Sequence, residues 1–227
     1  MDVGSLIEKQ QVSNFEKEFT LIMNNARFKK VYAYLKQQKK RGKLLDIGCG
    51  TGDFAALLKT LGYKAYGLEL EKNAVKLANK KGVITKQGSF VTGLPYKDKE
   101  FDVLFAGEVI EHTIDDDLFL KECYRILKPN GLLILTTPNL VSLGNRLLMT
   151  LGFMPRFAYQ EFHYRIYNLN LLKNKLSKAN FVLEKVSAGH VLISMYFNKY
   201  LGFFGELFAS YYPKFGEQFI LYARKKR

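Results

Sequence analysis

The chain has 227 residues, of which 48% are hydrophobic, 14% aromatic and 25% charged. This composition excludes a disordered or fibrous protein and suits one globular domain with a full core. The 35 Lys and Arg against 21 Asp and Glu give a formal charge of +14, which favours anionic partners without identifying one. Much of the excess lies in the basic run at 27–43 and in the terminal "ARKKR", and such runs are typical of solvated faces.

Cysteine use and hydropathy predict a cytoplasmic protein. The two cysteines, Cys49 and Cys123, form neither a disulfide framework nor a metal knuckle, so a reducing compartment is expected. The N-terminal "MDVGSLIEKQ" lacks the basic start and apolar run of a signal peptide. The apolar stretch at 190–212 is interrupted by Lys199 and Glu206, which predicts no transmembrane span but leaves peripheral contact with a membrane open.

The predicted elements alternate between strand and helix. Residues 1–41 have helical spacing and are expected to form N-terminal helices before the main domain at 42–227. The predicted strands are "KLLDIGCG", "KAYGLEL", "VITKQG", "FDVLFAG" and "LLILTTP", and the helices are "DFAALLKTLG", "KNAVKLANKKG" and "DDDLFLKECYRILKPNG". Because parallel strands need crossover connections, this order predicts a Rossmann-like α/β fold with helices on both faces of a mostly parallel sheet.

Beyond Pro138 the alternation changes. The segment 139–167 is too long for a simple connection and too aromatic for a flexible linker, so it is expected to form a lid over the carboxyl edge of the sheet. A helix in "NLNLLKNKLSKAN" and two strands in "FVLEKVSA" and "EQFILYARK" follow, and the two strands can pair in antiparallel fashion.

A glycine-rich turn follows the first strand, in "LLDIGCGTGDF". Gly48, Gly50 and Gly52 let the backbone approach a ligand without a Cβ clash, and the next helix begins there with free N–H groups. Asp46 ends the first strand, and 23 residues later Glu69 ends the second, where a carboxylate can accept both ribose hydroxyls of an adenosine. The glycine spacing differs from the dinucleotide pattern, so no pyrophosphate need be bound.

From about residue 43 to 187 the chain resembles the class I S-adenosylmethionine-dependent methyltransferases. The resemblance is carried in order by "LLDIGCGTG", Glu69, "GSFVTGLPYKDKEFDVLFAGEVIEH", "RILKPNGLLILTTPN" and "FHYRIYNLNLLKNKLSKANF". It implies a seven-stranded sheet with one antiparallel strand, and S-adenosylmethionine as cofactor. The cofactor-binding residues that it implies are Asp46, Gly48, Cys49, Gly50, Glu69, Leu70, Ser89, Phe90 and Gly107.

Within that set, the methionine moiety is expected near Asp46 and Gly48, the ribose on Glu69, and adenine near Ser89 and Phe90. Many relatives carry Asp where this chain has Ser89. A serine can still accept one hydrogen bond from the adenine amino group.

The methyl acceptor is expected over the ends of the fourth and fifth strands, at "GEVIEH" and "TTPN". The Asn/Asp-Pro-Pro-aromatic motif of exocyclic-amine methyltransferases is absent, and no Pro-Cys pair marks a pyrimidine-carbon nucleophile. These departures disfavour methylation of a nucleic-acid base.

Four residues form a candidate metal site. "EVIEH" followed by "TTPN" resembles ubiquinone-pathway O-methyltransferases and small-RNA 3′-terminal 2′-O-methyltransferases, and that resemblance implies a divalent ion on Glu108, Glu111, His112 and His163. Mg²⁺, Mn²⁺ or Zn²⁺ there would polarise an acceptor hydroxyl. The alternative is a metal-free site in which His112 is the catalytic base or a wall of the acceptor site, with Glu111 beside it. The acids at 115–117 are expected only to start a helix.

Three functions are compatible with these motifs. The aromatic segments at 139–167 and 191–215 favour O-methylation of a small or lipophilic molecule, which we predict. The positive charge favours RNA 2′-O-methylation, although no RNA-binding appendage is recognisable. A loose similarity of "TTPNLVSLGNRLLM" to MetW-like proteins favours a cofactor-binding accessory protein. The sequence leaves the oligomeric state open.

Overall fold

A computed structural model describes residues 19–155, 163–191 and 199–226, and for 199–204 the backbone alone. The helices predicted over 1–41 therefore lie partly outside the described residues. Residues 19–24 are helical, and helix α1 spans Ala26–Gln37. The side chain of Asn25 begins α1 by accepting a hydrogen bond from the Arg27 N–H at 3.0 Å, the usual role of asparagine at a helix start.

The other elements follow in chain order: β1 (Lys43–Ile47), α2 (Asp53–Lys59), β2 (Lys64–Glu69), α3 (Lys72–Lys80), β3 (Ile84–Gln87), β4 (Phe101–Gly107), a 3₁₀ turn (Ile110–His112), α4 (Asp116–Ile126), β5 (Leu127–Pro138), α5 (Leu143–Thr150), α6 (Leu169–Lys178), β6 (Phe181–Ala188), α7 (Lys199–Tyr211), a second 3₁₀ turn (Pro213–Phe215) and β7 (Gln218–Lys225). No helix in the described part of the chain is both long enough and apolar enough to span a bilayer.

The seven strands form one sheet in the order β3-β2-β1-β4-β5-β7-β6. Strands β1 to β5 pair in parallel with one another, whereas β7 is antiparallel to both β5 and β6. The predicted Rossmann-like sheet with one antiparallel strand is thus confirmed. The order reverses between β1 and β4, and such a reversal opens a crevice at the carboxyl ends of the strands.

Alternate residues of the central strands face opposite layers of helices, as the period of two in a strand requires. Leu45 and Ile47 pack in the layer of α4 and α6. Leu44 packs in the layer of α1 and α2 together with Phe105. Asp46 is two residues after Leu44 and so points to the same face of the sheet. Its carboxylate therefore lies on the side that α1 covers.

The helix predicted to stop at the Pro-Gly of "KPNG" ends slightly earlier, at Ile126, and Leu127 is already extended, with φ −76° and ψ 138°. Pro129 disfavours helical geometry at Lys128, because its ring crowds the preceding residue. The chain turns instead through Asn130, whose φ is +60°.

The segment after β5 is tied back to the sheet at both described ends. Asn139 forms a parallel bridge with Tyr167. The buried Tyr167 hydroxyl donates to the Asp116 carboxylate at 2.8 Å, and Lys175 contacts the other oxygen of Asp116 at 2.7 Å. Asp116 therefore does more than start α4, whereas Asp115 caps it as predicted, accepting from the Leu118 N–H at 2.9 Å. Residues 156–162 of the predicted lid lie outside the described residues.

Replacement of Tyr167 by phenylalanine tests this attachment. Tyr167→Phe removes the hydrogen bond to Asp116 from a buried site and is expected to lower the free energy of unfolding by about 1.5–3 kcal/mol. The matched control is Tyr164→Phe, whose ring is 56% exposed and for which a change within about 0.5 kcal/mol is expected. Urea unfolding measures both, and equal effects of the two substitutions would contradict the assigned role of Tyr167.

Candidate functional site

The loop after β1 requires glycine by its backbone geometry. Gly48, Gly50 and Gly52 have φ of +70°, +53° and +78°, a region that other residues rarely adopt. A Cβ on Gly52 would lie 2.6 Å from the Cβ of Ala78, so the start of α2 packs directly on α3. A Cβ on Gly50 would meet nothing within 4 Å, which leaves open space above the turn.

Glu69, at the end of β2, holds this loop. One oxygen of its carboxylate accepts from the Gly50 N–H at 2.8 Å, and the other accepts from the Leu70 N–H at 2.8 Å and the Glu71 N–H at 3.0 Å. The carboxylate is thereby fixed at the rim of the glycine turn.

A cavity of about 540 Å³ lies between the glycine loop and the start of α1. Of the predicted cofactor residues, it is lined by Asp46, Gly48, Cys49, Gly50 and Gly107. Burial raises the pKa of the Asp46 carboxyl to about 8, while Arg27 lowers it and Glu69 raises it further. Burial likewise raises the pKa of the Cys49 thiol to about 12, so this cysteine is uncharged packing in the loop.

The other predicted cofactor residues lie beyond Glu69. Gln87 pairs with Glu69 in the sheet and donates from its side chain to the Leu70 carbonyl at 3.2 Å. Ser89 and Phe90 follow Gln87 after one intervening glycine. The Ser89 hydroxyl accepts from the Val91 N–H at 3.1 Å, and the Phe90 ring packs edge-on against Phe119, 6.2 Å between centroids.

Arg27 is a site residue that the sequence analysis missed. It begins the basic run assigned there to a solvated face, yet its side chain is buried and lines the cavity. Its guanidinium lies 2.7 Å from the Glu108 carboxylate and 4.5 Å from the centre of the Phe28 ring, and its Nε is buried without a hydrogen-bond partner. No local signal distinguishes it from the solvated cations after it.

Glu108 is not brought to the other predicted metal ligands. Its carboxylate contacts Arg27 and accepts from the Gln218 side chain at 2.5 Å. The backbone at Glu108 has φ +57°, which ends β4 abruptly. Of the four predicted metal ligands, the structure groups three, whereas the carboxylate of the fourth contacts Arg27 and Gln218.

The remaining three, Glu111, His112 and His163, form a compact group that we term the Glu-His-His cluster. One potential ligand atom from each lies within 4.8 Å of the other two, and the two imidazole ring centroids are 4.7 Å apart. The backbone carbonyl of Glu111 accepts from the N–H groups of Tyr164 and Arg165 at 2.9 and 3.2 Å. These two bonds hold the His163 segment beside the turn that carries His112.

The Glu111 carboxyl is buried, and only one of its two oxygens accepts a hydrogen bond. One oxygen accepts from the Thr137 hydroxyl at 3.0 Å, while the other has no hydrogen-bond partner. Burial raises the pKa of Glu111 to about 7. Burial, together with the neighbouring His112, lowers the pKa of His163. Thr137 lies in the "TTPN" motif, but its contact with Glu111 was not predicted, because the motif indicated only the end of a strand.

Comparison with known proteins identifies the family. A family model described as a methyltransferase domain matches residues 45–135. A ubiquinone biosynthesis O-methyltransferase of Bradyrhizobium diazoefficiens is 37% identical over 101 residues, 43% of this chain and 40% of that protein. The chain thus spans less than half the length of this relative.

Longer matches extend the comparison. A demethylmenaquinone methyltransferase of Chlorobaculum tepidum is 30% identical over 196 residues, which cover 83% of this chain and 75% of that protein. The solved structure of an S-adenosylmethionine-dependent methyltransferase from Thermotoga maritima superposes with a TM-score of 0.64 at 25% identity, covering 95% of this chain and 96% of the other. The chain belongs to the class I S-adenosylmethionine-dependent methyltransferases.

Proposed function

We propose that the protein transfers a methyl group from S-adenosylmethionine to an oxygen of a small or lipophilic molecule. The observation that carries this proposal is the Glu-His-His cluster, which lies just after β4, the strand whose last residue, Gly107, lines the cavity at the glycine loop. Groups that can activate a hydroxyl therefore adjoin the site proposed for the methyl donor. The O-methyltransferases among the relatives support the same reaction class.

The cavity has the features that the cofactor requires. The positive-φ glycines allow close approach of an adenosine, and Gly50 leaves open space at the turn. We assign the ribose hydroxyls to Glu69 and the adenine to Ser89 and Phe90. When bound there, S-adenosylmethionine supplies a methyl group on a sulfonium, which is open to in-line attack.

The charged residues in the cavity suit the amino-acid end of this cofactor. Asp46 is a buried acid that can accept from the ammonium group, whose charge favours the ionised carboxylate. Arg27 has a buried Nε–H donor without a partner, and a buried donor gains most from an anionic acceptor. We therefore assign the cofactor carboxylate to Arg27.

The Glu-His-His cluster has the donor set for a divalent ion. One carboxylate and two imidazoles are ligands that Mn²⁺, Zn²⁺ and related ions accept, and the unpartnered oxygen of Glu111 is a buried acceptor that lacks a donor. We assign Glu111, His112 and His163 as ligands. An ion there would polarise the acceptor hydroxyl and lower its pKa, and Thr137 would hold the Glu111 carboxylate in place.

We also propose that the segment 139–167 covers the acceptor. It starts at the end of β5, beside Thr137, and returns through His163 to the cluster. Its apolar side chains would exclude water from the reacting oxygen and suit a lipophilic acceptor.

The role of Arg27 is tested by two ligands that differ only in their amino-acid part. Arg27→Gln is expected to weaken the binding of S-adenosylhomocysteine by about 10- to 100-fold, because a hydrogen bond to a charged group is lost. Binding of 5′-methylthioadenosine, which has no carboxylate, should not change. Isothermal titration calorimetry measures both.

The matched control for this comparison is Glu108→Gln, which breaks the same ion pair but keeps the guanidinium, and it should retain the affinity for S-adenosylhomocysteine. Equal weakening of both ligands by Arg27→Gln would contradict the assignment of the carboxylate.

Chelation tests the acceptor site. Transfer of a labelled methyl group to a lipophilic phenol is expected to fall by about a hundredfold or more in a chelator and to recover with Mn²⁺ or Mg²⁺. His163→Ala should abolish the Mn²⁺ binding that calorimetry detects in the wild-type protein, with unchanged affinity for S-adenosylhomocysteine.

Two results would contradict the proposal in different ways. Full activity in chelator, combined with an inactive His112→Ala variant, would replace the ion by a histidine base. Methylation of an RNA 3′-terminal ribose in preference to small phenols would overturn the class of acceptor.

A further inference from the structure

The ends of helices α5 and α7 carry a set of exposed apolar side chains. Leu151 and Phe153 are each 63% exposed, Met154 is 54% exposed, and Tyr211 and Tyr212 are 75% and 52% exposed. We term these five residues the apolar face. Isolated exposed apolar residues are ordinary, but a cluster of large ones on a soluble domain indicates an interaction surface.

The two parts of the apolar face belong to neighbouring elements. Leu143 of α5 packs against a buried cluster that contains Ala209 of α7. The guanidinium of Arg146 lies 5.5 Å from the centre of the Phe215 ring, and that ring stacks on Phe208 with 6.0 Å between centroids. These contacts hold the first turn of α5 close to the last turns of α7.

The two described stretches that carry the apolar face have charged side chains of one sign. Residues 139–155 and 207–216 contain no Asp or Glu. Arg146 and Lys214 flank the aromatic group, with the Lys214 ammonium 5.0 Å from the Phe215 ring centre. The neighbouring acid, Glu206, is paired with Lys29 at 3.3 Å. This surface therefore combines large exposed apolar side chains with cations at its edge.

We propose that the apolar face binds the surface of an anionic lipid bilayer. Leu151 and Phe153 enter the acyl boundary, the two tyrosines lie at the level of the headgroups, and Arg146 and Lys214 contact anionic lipid. The net charge of +14 adds a long-range attraction to such a surface. A second copy of the chain fits less well, because an isologous contact would bring the same cations together.

The helix that leads to one part of the apolar face starts near the Glu-His-His cluster. Helix α5 begins shortly after the end of β5, and Asn139 bridges to Tyr167, whose hydroxyl group lies 3.4 Å from the Ile110 carbonyl beside the cluster. Bilayer binding by the apolar face does not depend on the proposed function.

Cosedimentation with vesicles tests the proposal, with no cofactor or acceptor present. The full chain is mixed with vesicles of phosphatidylcholine alone or of phosphatidylcholine with phosphatidylglycerol, and stronger binding to the anionic vesicles is expected. The double substitution Leu151→Ser with Phe153→Ser should weaken that binding by about tenfold or more. Lys214→Gln should weaken it by about fivefold, and on anionic vesicles only.

The matched control is Leu77→Ser, on the exposed side of α3 and 44% exposed, which should bind vesicles like the wild type. Calorimetry with S-adenosylhomocysteine verifies that each variant is folded. Failure of the wild type to bind any vesicle, or equal binding by the double variant, would overturn the proposal.

A wild-type dimer that the double variant converts to monomers would overturn it in favour of self-association. Because neither measurement involves methyl transfer, failure of the proposed function and failure of this inference remain distinguishable.

Discussion

Parallel strands of one sheet all end at the same edge, and here their order reverses between β1 and β4. This constraint assembles the candidate site from segments that are distant in sequence. The glycine loop follows β1, and Glu69 ends β2. Glu111 and His112 follow β4, and Thr137 is the penultimate residue of β5. The crevice lies between the ends of β1 and β2 on one side and the ends of β4 and β5 on the other. The proposed donor site and the proposed acceptor site are therefore adjacent because of the strand order itself.

Electrostatics at the crevice depend on one buried cation. Arg27 contacts the Glu108 carboxylate and lowers the pKa of Asp46, and a guanidinium held away from water interacts more strongly with each of these carboxylates than it would on the surface. Its ion pair with Glu108 engages that carboxylate, which is not a member of the Glu-His-His cluster. Arg27 also lines the cavity at the glycine loop, so helix α1 contributes to the candidate site.

The sequence predicted those parts of the fold and site that local patterns encode. Alternating strands and helices have a short-range signature, and the fold that they predict was confirmed. The glycine turn and the acid at the end of β2 are also local patterns, and the structure places them in contact through the Gly50 N–H and the Glu69 carboxylate. The contacts of Arg27 with Glu108, of Glu108 with Gln218 and of Thr137 with Glu111 join residues distant in the chain. No local pattern contains such pairs, so the role of Arg27 and the separation of Glu108 could not be predicted.

Binding of S-adenosylhomocysteine to two glycine variants tests the central claim, that the loop after β1 holds the cofactor. Gly50 and Gly152 both have positive φ, and a Cβ on either meets nothing within 4 Å, so aspartate imposes a similar backbone strain at each. Calorimetry should detect no binding by Gly50→Asp, whose carboxylate fills the space at the turn, and wild-type affinity for Gly152→Asp. Undiminished binding by Gly50→Asp would contradict the account.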